Sequence, residues 1–355
     1  MNAPDLQPAG ATGSPLPRFL ITIDTEGDNL WAKPREVTTR NSRFLPRFQE
    51  LCEAHGLKPT YLVNHEMARC PVFVELARDA RARGTAEVGM HLHAWDSPPL
   101  EPLTADDLHH HPYLIEYPEP IMRRKIAHLT GLLEDTFGVK MTSHRAGRWA
   151  FDATYAELLM EHGYTVDCSV TPHVSWRGHA GAPGGAGGSD YRDFPEEPYL
   201  IARQRPGGAG TAALLEVPVT IRERGDALSR WLEGRTAERN PVRRVVNRLR
   251  PFRAWLRPNG WNRRSMLWLV ERVAEERAPC AEFMLHSSEF MPGGSPTFPD
   301  ERSIESLYRD LECLFAAVRG RFVGATLKEF HRWLGERAGP LRQGPTPARA
   351  IPAPA

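Results

Sequence analysis

The chain has 355 residues, of which 25% are charged and 41% are hydrophobic, and its net charge is +1 at pH 7. These values are ordinary for a globular protein, and the length suits one large α/β domain or two small ones. The near-zero net charge excludes a strong overall attraction to nucleic acid, so we expect no nucleic-acid partner.

Cysteine usage and the N-terminal sequence indicate where the protein works. The five cysteines are scattered and contain no Cys-x-x-Cys pair, which predicts reduced thiols rather than a disulfide framework. Residues 1–17 lack the basic start and apolar run of a signal peptide and are expected to form a flexible leader. No stretch approaches the ~20 apolar residues that span a bilayer. We therefore expect a cytoplasmic enzyme.

Strand-like and helix-like segments alternate from residue 18 onward. The short apolar run 18–24 is rich in β-branched residues and predicts a buried strand, which an acidic turn follows. Further strands are predicted over 58–64, 87–95, 142–147, 164–170, 214–221, 281–288 and 321–327, and helices over 41–55, 71–83, 119–137 and 152–163. Pro218 argues that its strand is irregular or at an edge. The proline-rich tail 339–355 is expected to be disordered.

This alternation predicts a parallel sheet, and about eight strands argue for a closed barrel. Active sites of such barrels lie at the C-terminal ends of the strands. Here the predicted strand ends carry an unusual set of polar residues, namely Asp24, Glu26, Asn64, His65, His91, His93, His144, Arg145, Asp167 and His286. Their shared location is a stronger signal than any single motif.

The motif His91-Leu-His93 is a candidate metal site. Two histidines two residues apart in a strand point to the same face of the sheet and can bind one metal ion. Glu26 could supply a third ligand, with Asp28 as its competitor, and two histidines with one carboxylate are the protein ligands of many catalytic zinc sites. The alternative is a hydrogen-bonded polar cluster without metal.

Three further residues could carry out acid–base chemistry beside such a metal. Asp24 could accept a proton from an attacking water, and Arg145 could hold the Asp24 carboxylate by a charge-assisted bond. His286 could protonate a leaving group from the far side of the barrel mouth. This combination suits the hydrolysis of an amide or ester; the alternatives are a turn aspartate, an ordinary buried ion pair and a core histidine.

Four motifs occur in a recognisable order along residues 18–330. They are Thr22-Ile-Asp24-Thr-Glu26, His91-Leu-His93, His144-Arg145-Ala-Gly-Arg-Trp149 and Leu285-His286-Ser-Ser. The set resembles the ordered motifs of the NodB-type polysaccharide deacetylases, also called the carbohydrate esterase family 4-like proteins. More narrowly, it resembles their WalW-like branch, which is found with bacterial surface-polysaccharide biosynthesis.

The resemblance implies a distorted (β/α)7-type barrel and metal-dependent removal of an acetyl group from a sugar. It implies that Asp24 is the general base, that His286 is the general acid and that Arg145 orients the base. It also implies that two histidines and an acidic neighbour bind a divalent metal, for which zinc is the expected ion. Position 95, where the second histidine of the common family pattern would fall, is a tryptophan, so His93 is expected to replace it.

Several tryptophans could stack on sugar rings. Trp149 and Trp95 are the candidate substrate-binding residues, with Trp31 as a further one, although core packing is the alternative use of each. The run His109–His111 also invites a metal interpretation, but a solvated loop is the expected structure.

The segment 222–264 has no counterpart in a bare barrel. Arginine far outnumbers acidic residues there, and apolar residues recur at helical spacing from Val242 to Trp255, with Pro251 as a kink. We expect a basic helical insertion that forms either a lid on the barrel, which we favour, or a peripheral contact of residues 242–257 with the inner face of an anionic membrane. Its arginines would also suit a nucleotide-linked or lipid-linked saccharide.

The sequence therefore predicts a metal-dependent sugar deacetylase acting on an acetylated saccharide. Two alternatives remain open, and they predict different products. A glycoside hydrolase on a related barrel would use Asp24 and Glu26 with another carboxylate and create new reducing ends. A catalytically silent saccharide-binding protein would bind its ligand without turnover.

Overall fold

The computed structural model of the chain describes residues 16–32, 36–185, 187–204, 211–225, 251–337 and 341–346. Its strands are β1 Arg18–Thr25, β2 Pro59–Val63, β3 Glu87–Leu92, β4 Ser143–Ala146, β5 Val166–Asp167, β6 Tyr199–Gln204, β7 Thr211–Glu216, β8 Ile221–Glu223, β9 Arg253–Trp255, β10 Cys280–His286 and β11 Val323–Ala325. Its α-helices are α1 Leu45–Ala54, α2 His65–Ala68, α3 Pro71–Ala82, α4 Asp107–His110, α5 Glu119–Phe137, α6 Ala153–Glu161, α7 Arg263–Glu276, α8 Glu301–Val318 and α9 Leu327–Arg337.

Nine of the described strands form one sheet in the order β10-β1-β2-β3-β4-β5-β7-β6, with β11 pairing the first half of β1. All neighbours along this path are parallel except β6, which runs antiparallel to β7. Helices connect most of the parallel strands, as expected for crossover connections that return the chain to the same end of the sheet. The C-terminal ends of β1, β3, β4 and β10 therefore lie at one edge.

The sheet curls, so that backbone hydrogen bonds outside the regular strand ladders connect the segment after β7 with β10. Thr220, which follows β7, donates its N–H to the carbonyl of Glu282 on β10 at 3.2 Å. Leu256 donates to the Thr220 carbonyl at 2.9 Å, and Met284 donates to the Leu256 carbonyl at 3.3 Å. This arrangement is consistent with a distorted barrel. The count of seven strand–helix units stays a prediction.

Side-chain alternation divides the strands between two environments. Phe19, Ile21 and Ile23 of β1 pack under the helices in the main core, whereas Leu20 belongs to a second cluster with Phe330 and Leu334 of α9. Since successive side chains of a strand point to opposite faces, Thr22 and Asp24 lie on the same face as Leu20. Helix α9 thus packs against one end of the inner face, and the polar residues lie toward the other end.

Most predicted elements are present with shifted bounds, and the differences have local causes. The predicted strand 164–170 is reduced to the two residues of β5, and the strand predicted over 214–221 stops at Glu216, two residues before Pro218. Pro218 lacks the N–H that a ladder requires. Strands β6, β8 and β9 were not predicted as separate strands.

Two expectations need correction. Residues 253–255 form β9, antiparallel to β8, so the helical spacing predicted through Trp255 is wrong for this part of the basic segment. Residues 226–250, which hold most of that segment, lie outside the described residues. In the tail, Leu200 donates its N–H to the Arg342 carbonyl and Gly344 donates to the Leu200 carbonyl, both at 3.0 Å. Residues 341–346 are therefore ordered against β6, while residues 1–15 and 347–355 lie outside the described part. Among the described helices, none has the length and apolar composition that a membrane crossing requires.

Candidate active site

A cavity of about 310 Å³ opens at the C-terminal ends of the parallel strands. It combines carboxylates, histidines, arginines and aromatic rings. Its lining residues are Asp24, Glu26, Leu30, Trp31, His91, His93, Trp95, Tyr113, Ala146, Arg148, Trp149, Trp176, His179, Arg257 and His286. Since the strands are parallel and share this edge, residues distant in sequence converge here.

Strand register places the central residues beside one another. Asp24 of β1 is the register partner of His286 on β10, and His91 of β3 is the partner of Arg145 on β4. Their side chains share the inner face of the curled sheet. The acidic turn after β1 is fixed by the carbonyl of Glu26, which accepts hydrogen bonds from Asn41 Nδ2 at 2.7 Å and from Ser287 Oγ at 2.9 Å.

Glu26, His91 and His93 form a buried group whose ligand atoms all lie within 4.8 Å of one another. His93 Nε2 is 2.9 Å from both Glu26 Oε2 and His91 Nε2, and His91 Nε2 is 3.5 Å from Glu26 Oε2. Ligands at 2.0–2.2 Å from a zinc ion are separated by about 3.0 to 3.4 Å at right-angled to tetrahedral coordination. The three side chains could therefore hold one divalent ion with little movement.

The hydrogen bonds of the two rings also suit metal binding. His91 Nδ1 lies 3.0 Å from the carbonyl oxygen of Arg145, which can only accept, so Nδ1 carries the proton and Nε2 presents its lone pair. Burial, together with His91 and Arg148, lowers the pKa of His93 to about 4, so its ring is neutral at pH 7. Neutral imidazole is the form that binds metal.

Both carboxylates beside the histidines are ionised at neutral pH. Burial acts to raise the pKa of Asp24, but Arg145, His91 and His286 outweigh it and hold the pKa below its usual range. Burial also acts to raise the pKa of Glu26, and there His286, His91 and His93 lower it. Asp24 Oδ2 is 4.0 Å from His91 Nε2, so Asp24 lies next to the Glu26–His91–His93 group without belonging to it.

Arg145 is fully buried and organises the inner face of the barrel. Its Nη1 donates to Asp24 Oδ1 at 2.7 Å, and its Nη2 donates to Thr22 Oγ1 at 2.7 Å and to Glu282 Oε1 at 2.6 Å. Its Nε donates to the carbonyl of Cys168 at 3.0 Å. The guanidinium thus fixes one oxygen of Asp24 and leaves the other toward the cavity.

The ring of His286 contacts a buried carboxylate, that of Glu289, through the nitrogen that lies farther from Asp24. Its Nε2 lies 3.7 Å from Asp24 Oδ2, and its Nδ1 lies 3.1 Å from Glu289 Oε2. Glu289 in turn pairs with Arg257, whose Nη2 is 3.2 Å from Glu289 Oε1 and 3.2 Å from His286 Nδ1. Burial acts to raise the pKa of Glu289, but Arg257 and His286 lower it, so the carboxylate is available to orient the ring.

Aromatic rings form the cavity walls. Trp149 is only 7% exposed, stacks on Trp176 with ring centroids 6.3 Å apart, and lies beneath the Arg145 guanidinium. Trp95 meets the ring of His93 edge-on at 4.4 Å, and Trp31, 40% exposed, meets His286 at 4.8 Å. Trp95 and Trp149 both line the cavity, and their contact with a substrate stays a prediction.

Several residues at the predicted strand ends do not enter the cavity. His144 points away from Arg145 and forms a buried pair with Asp167 at 2.6 Å, under the helices. Asn64 caps α2, and Asp28 binds Thr38, Arg40 and the Asn41 N–H instead of facing the histidines. Glu26, and not Asp28, is therefore the carboxylate that lies with His91 and His93 in the group that could hold a metal ion. His109 and His110 belong to the short helix α4, not to a loop.

Several residues of the site and its supports were not predicted from the sequence, among them Tyr113, Arg148, Arg257, Glu282 and Glu289. Glu289 follows His286 by three residues, and its position could have suggested a partner for the histidine. Glu282 precedes His286 by four residues on the same strand face, which could have placed it in the barrel interior.

Comparison with protein-family models and with curated protein sequences gives no match. Among solved structures, the fold is similar to that of a Parabacteroides distasonis protein with the provisional designation "glycoside hydrolase/deacetylase". The TM-score is 0.57 at 11% identity, over 91% of this chain and 74% of that chain.

Two further solved structures align with lower scores. A Mycobacterium smegmatis protein with the provisional designation "polysaccharide deacetylase" gives a TM-score of 0.49 at 14% identity, over 99% of this chain and 100% of that chain. A branching enzyme of Thermococcus kodakaraensis gives 0.48 at 14% identity, over 94% of this chain and 74% of that chain. The chain therefore shares its fold with the P. distasonis protein.

Proposed function

We propose that the protein is a metal-dependent hydrolase that removes the acetyl group from an N-acetylated sugar. One observation carries this proposal: Glu26, His91 and His93 converge within 4.8 Å on the wall of a cavity that Asp24 and His286 also line. A divalent ion held there, with zinc as the expected metal, would polarise the acetyl carbonyl and lower the pKa of a water.

The surrounding residues would supply the proton transfers. Asp24 accepts a proton as water attacks the acetyl carbon, and the buried Arg145 keeps this carboxylate ionised and oriented. His286 delivers a proton to the amide nitrogen as the carbon–nitrogen bond breaks, so acetate and a free amine leave. Glu289 acts as a positioning residue, because it contacts Nδ1 of His286 and leaves Nε2 toward the cavity.

The protonation states argue against glycoside hydrolysis. That reaction requires one carboxylic acid that is protonated at working pH beside a carboxylate that is not. Asp24 and Glu26 are the carboxylates among the described lining residues, and the pKa of each is lowered. Neither could serve as the protonated acid.

The finer parts of the proposal rest on the sequence motifs. The order of the motifs around Asp24, His91, Arg145 and His286 supports membership of the NodB-type deacetylases and, within them, of the WalW-like branch. We propose a role in bacterial surface-polysaccharide or glycoconjugate biosynthesis, on a nucleotide-linked or lipid-linked saccharide. A cytoplasmic location, with or without peripheral contact at the inner face of the membrane, belongs to the same proposal.

Acetate release tests the proposal directly. The full chain, purified without chelator and supplied with zinc, is incubated with a panel of N-acetylated oligosaccharides, and acetate and reducing ends are both measured. Asp24→Asn is expected to lower kcat by about 10²-fold to 10⁴-fold. The exposed Asp106→Asn is the matched control and is expected to stay within about twofold. Near-full turnover by Asp24→Asn, or new reducing ends with the acetyl groups retained, would contradict the proposal.

A further inference from the structure

Arg148 is a cation of the cavity wall that the proposed reaction does not use. Its side chain is partly buried and lines the cavity beside Trp95 and Tyr113. Among the described residues, no carboxylate oxygen lies within 4.0 Å of its guanidinium. Arg257, the other arginine among the described lining residues, differs because it is paired with Glu289.

Two aromatic rings hold the Arg148 side chain. Its guanidinium carbon lies 5.2 Å from the ring centroid of Trp95 and 6.0 Å from that of Tyr113. Such contacts orient the guanidinium plane but consume few of its N–H donors. Tyr113 is itself anchored, since its hydroxyl donates to the carbonyl of His179 at 3.1 Å.

The backbone presents Arg148 in an unusual conformation. Arg148 and Trp149 have φ values of 55° and 60°, in the left-handed region that non-glycine residues rarely adopt. The preceding Gly147 packs so closely on β3 that an added Cβ would lie 2.5 Å from the carbonyl oxygen of Leu92. The chain is thus turned at this point, and the turn directs the side chain of Arg148 into the cavity that Asp24 and His93 line.

From this arrangement we infer that Arg148 binds an anionic group of the substrate, either a carboxylate or a phosphate, next to the acetylated position. A guanidinium that is oriented by rings and has no carboxylate oxygen of the described residues within 4.0 Å keeps two parallel N–H donors available, the geometry that carboxylate and phosphate oxygens accept. This inference rests on the proposed function for the site, and it narrows the substrate to acidic or phosphorylated acetamido sugars. A neutral acetamido sugar would offer the Arg148 guanidinium no negative charge.

Calorimetric titration of the metal-loaded full chain tests this inference separately from turnover. The probes are neutral N-acetylglucosamine, N-acetylglucosamine 6-phosphate and N-acetylmuramic acid, which carries a carboxylate. The wild type is expected to bind at least one anionic sugar about tenfold or more tightly than the neutral sugar. Whichever of the two anionic sugars binds more tightly shows whether the site prefers a phosphate or a carboxylate.

Variants assign the preference to Arg148. Arg148→Gln is expected to bind the anionic and neutral sugars equally, whereas Arg148→Lys, which keeps the charge but loses the two-donor geometry, should retain a reduced preference. Arg309→Gln removes an exposed arginine of α8 and should match the wild type. The inference would be overturned if the wild type bound anionic and neutral sugars equally. It would also be overturned if the preference for anionic sugars persisted in Arg148→Gln or vanished in Arg309→Gln. Equal acetate release from neutral and anionic sugars would overturn it while leaving the proposed function standing.

Discussion

His91 and Arg145 are register partners on β3 and β4, and Nδ1 of His91 donates to the carbonyl oxygen of Arg145 at 3.0 Å. This one strand pair links the proposed metal site to the proposed base. The backbone of Arg145 fixes the tautomer of His91, and the side chain of Arg145 holds Asp24 at 2.7 Å. A small shift of β4 would therefore disturb both halves of the site.

Removal of the Arg145 charge should destabilise the fold. Arg145→Met leaves the carboxylates of Asp24 and Glu282 buried without their cation, and we expect a loss of about 3 to 5 kcal/mol in the free energy of unfolding. Urea denaturation measures this loss. Arg123→Met is the matched control, because Arg123 pairs with exposed acids on the surface and should change stability by less than about 1 kcal/mol. Equal effects of the two substitutions would contradict the role given to Arg145.

Gly147 permits the turn after β4 to pack closely against His93, a proposed metal ligand. A Cβ at this position would lie 2.5 Å from the Leu92 carbonyl oxygen and 3.2 Å from His93 Nδ1. Gly147→Ala should therefore displace His93 and weaken zinc binding by about 10-fold to 100-fold, which a competitive chelator titration measures.

A second glycine supplies the control for this prediction. In α5, a Cβ on Gly131 would meet no atom within 4 Å. Gly131→Ala should raise the free energy of unfolding by about 0.5 to 1 kcal/mol and leave zinc affinity unchanged. If Gly147→Ala bound zinc as tightly as Gly131→Ala, the packing argument would fail.

Glu216 should make stability depend on pH. It is fully buried, and burial, followed by the neighbouring Asp167 carboxylate, raises its pKa well above its usual value of 4.5. Because the pKa of Glu216 is higher in the folded protein than in the unfolded chain, its protonated form stabilises the fold fully below pH 4.5. This contribution to the free energy of unfolding is lost as the pH rises toward the pKa of the folded state. The loss is about 1.4 kcal/mol per pH unit.

Glu216→Gln mimics the protonated form and removes this dependence. The difference between the unfolding free energies of Glu216→Gln and the wild type should therefore shift in favour of the variant as pH increases from 4.5 to 8. Urea denaturation at each pH measures this difference. The exposed Glu271→Gln on α7 should follow the wild-type curve. Parallel curves for Glu216→Gln and the wild type would show that Glu216 is not held protonated.

The position of the site could be predicted from sequence because parallel strands place their C-terminal ends at one edge. This rule, with the two-residue alternation of His91 and His93, was enough to expect Asp24, Glu26, Arg145 and His286 nearby. The same alternation explains why His144, although it lies at a predicted strand end, does not line the cavity. Its neighbour Arg145 points into the barrel, so His144 must point to the helices, where it meets Asp167.

Other features depend on tertiary packing that the sequence does not display. Arg148 enters the cavity only because Gly147 packs on β3 and the next two residues adopt positive φ values. The apolar spacing before Trp255 matches a helix, yet pairing with β8 makes residues 253–255 a strand. Local propensity is overridden there by a neighbouring strand.

Binding of one divalent metal ion by Glu26, His91 and His93 is the property on which the proposed function depends. Its most direct test is the metal content of the protein purified without chelator, compared with Glu26→Gln, His91→Ala, His93→Ala and the control Asp28→Asn. We expect about one ion per chain in the wild type and in Asp28→Asn, and a loss of the ion in the other three variants. A wild type that holds no metal after zinc is offered, or a His91→Ala variant that keeps the ion, would show that these three residues do not form a metal site.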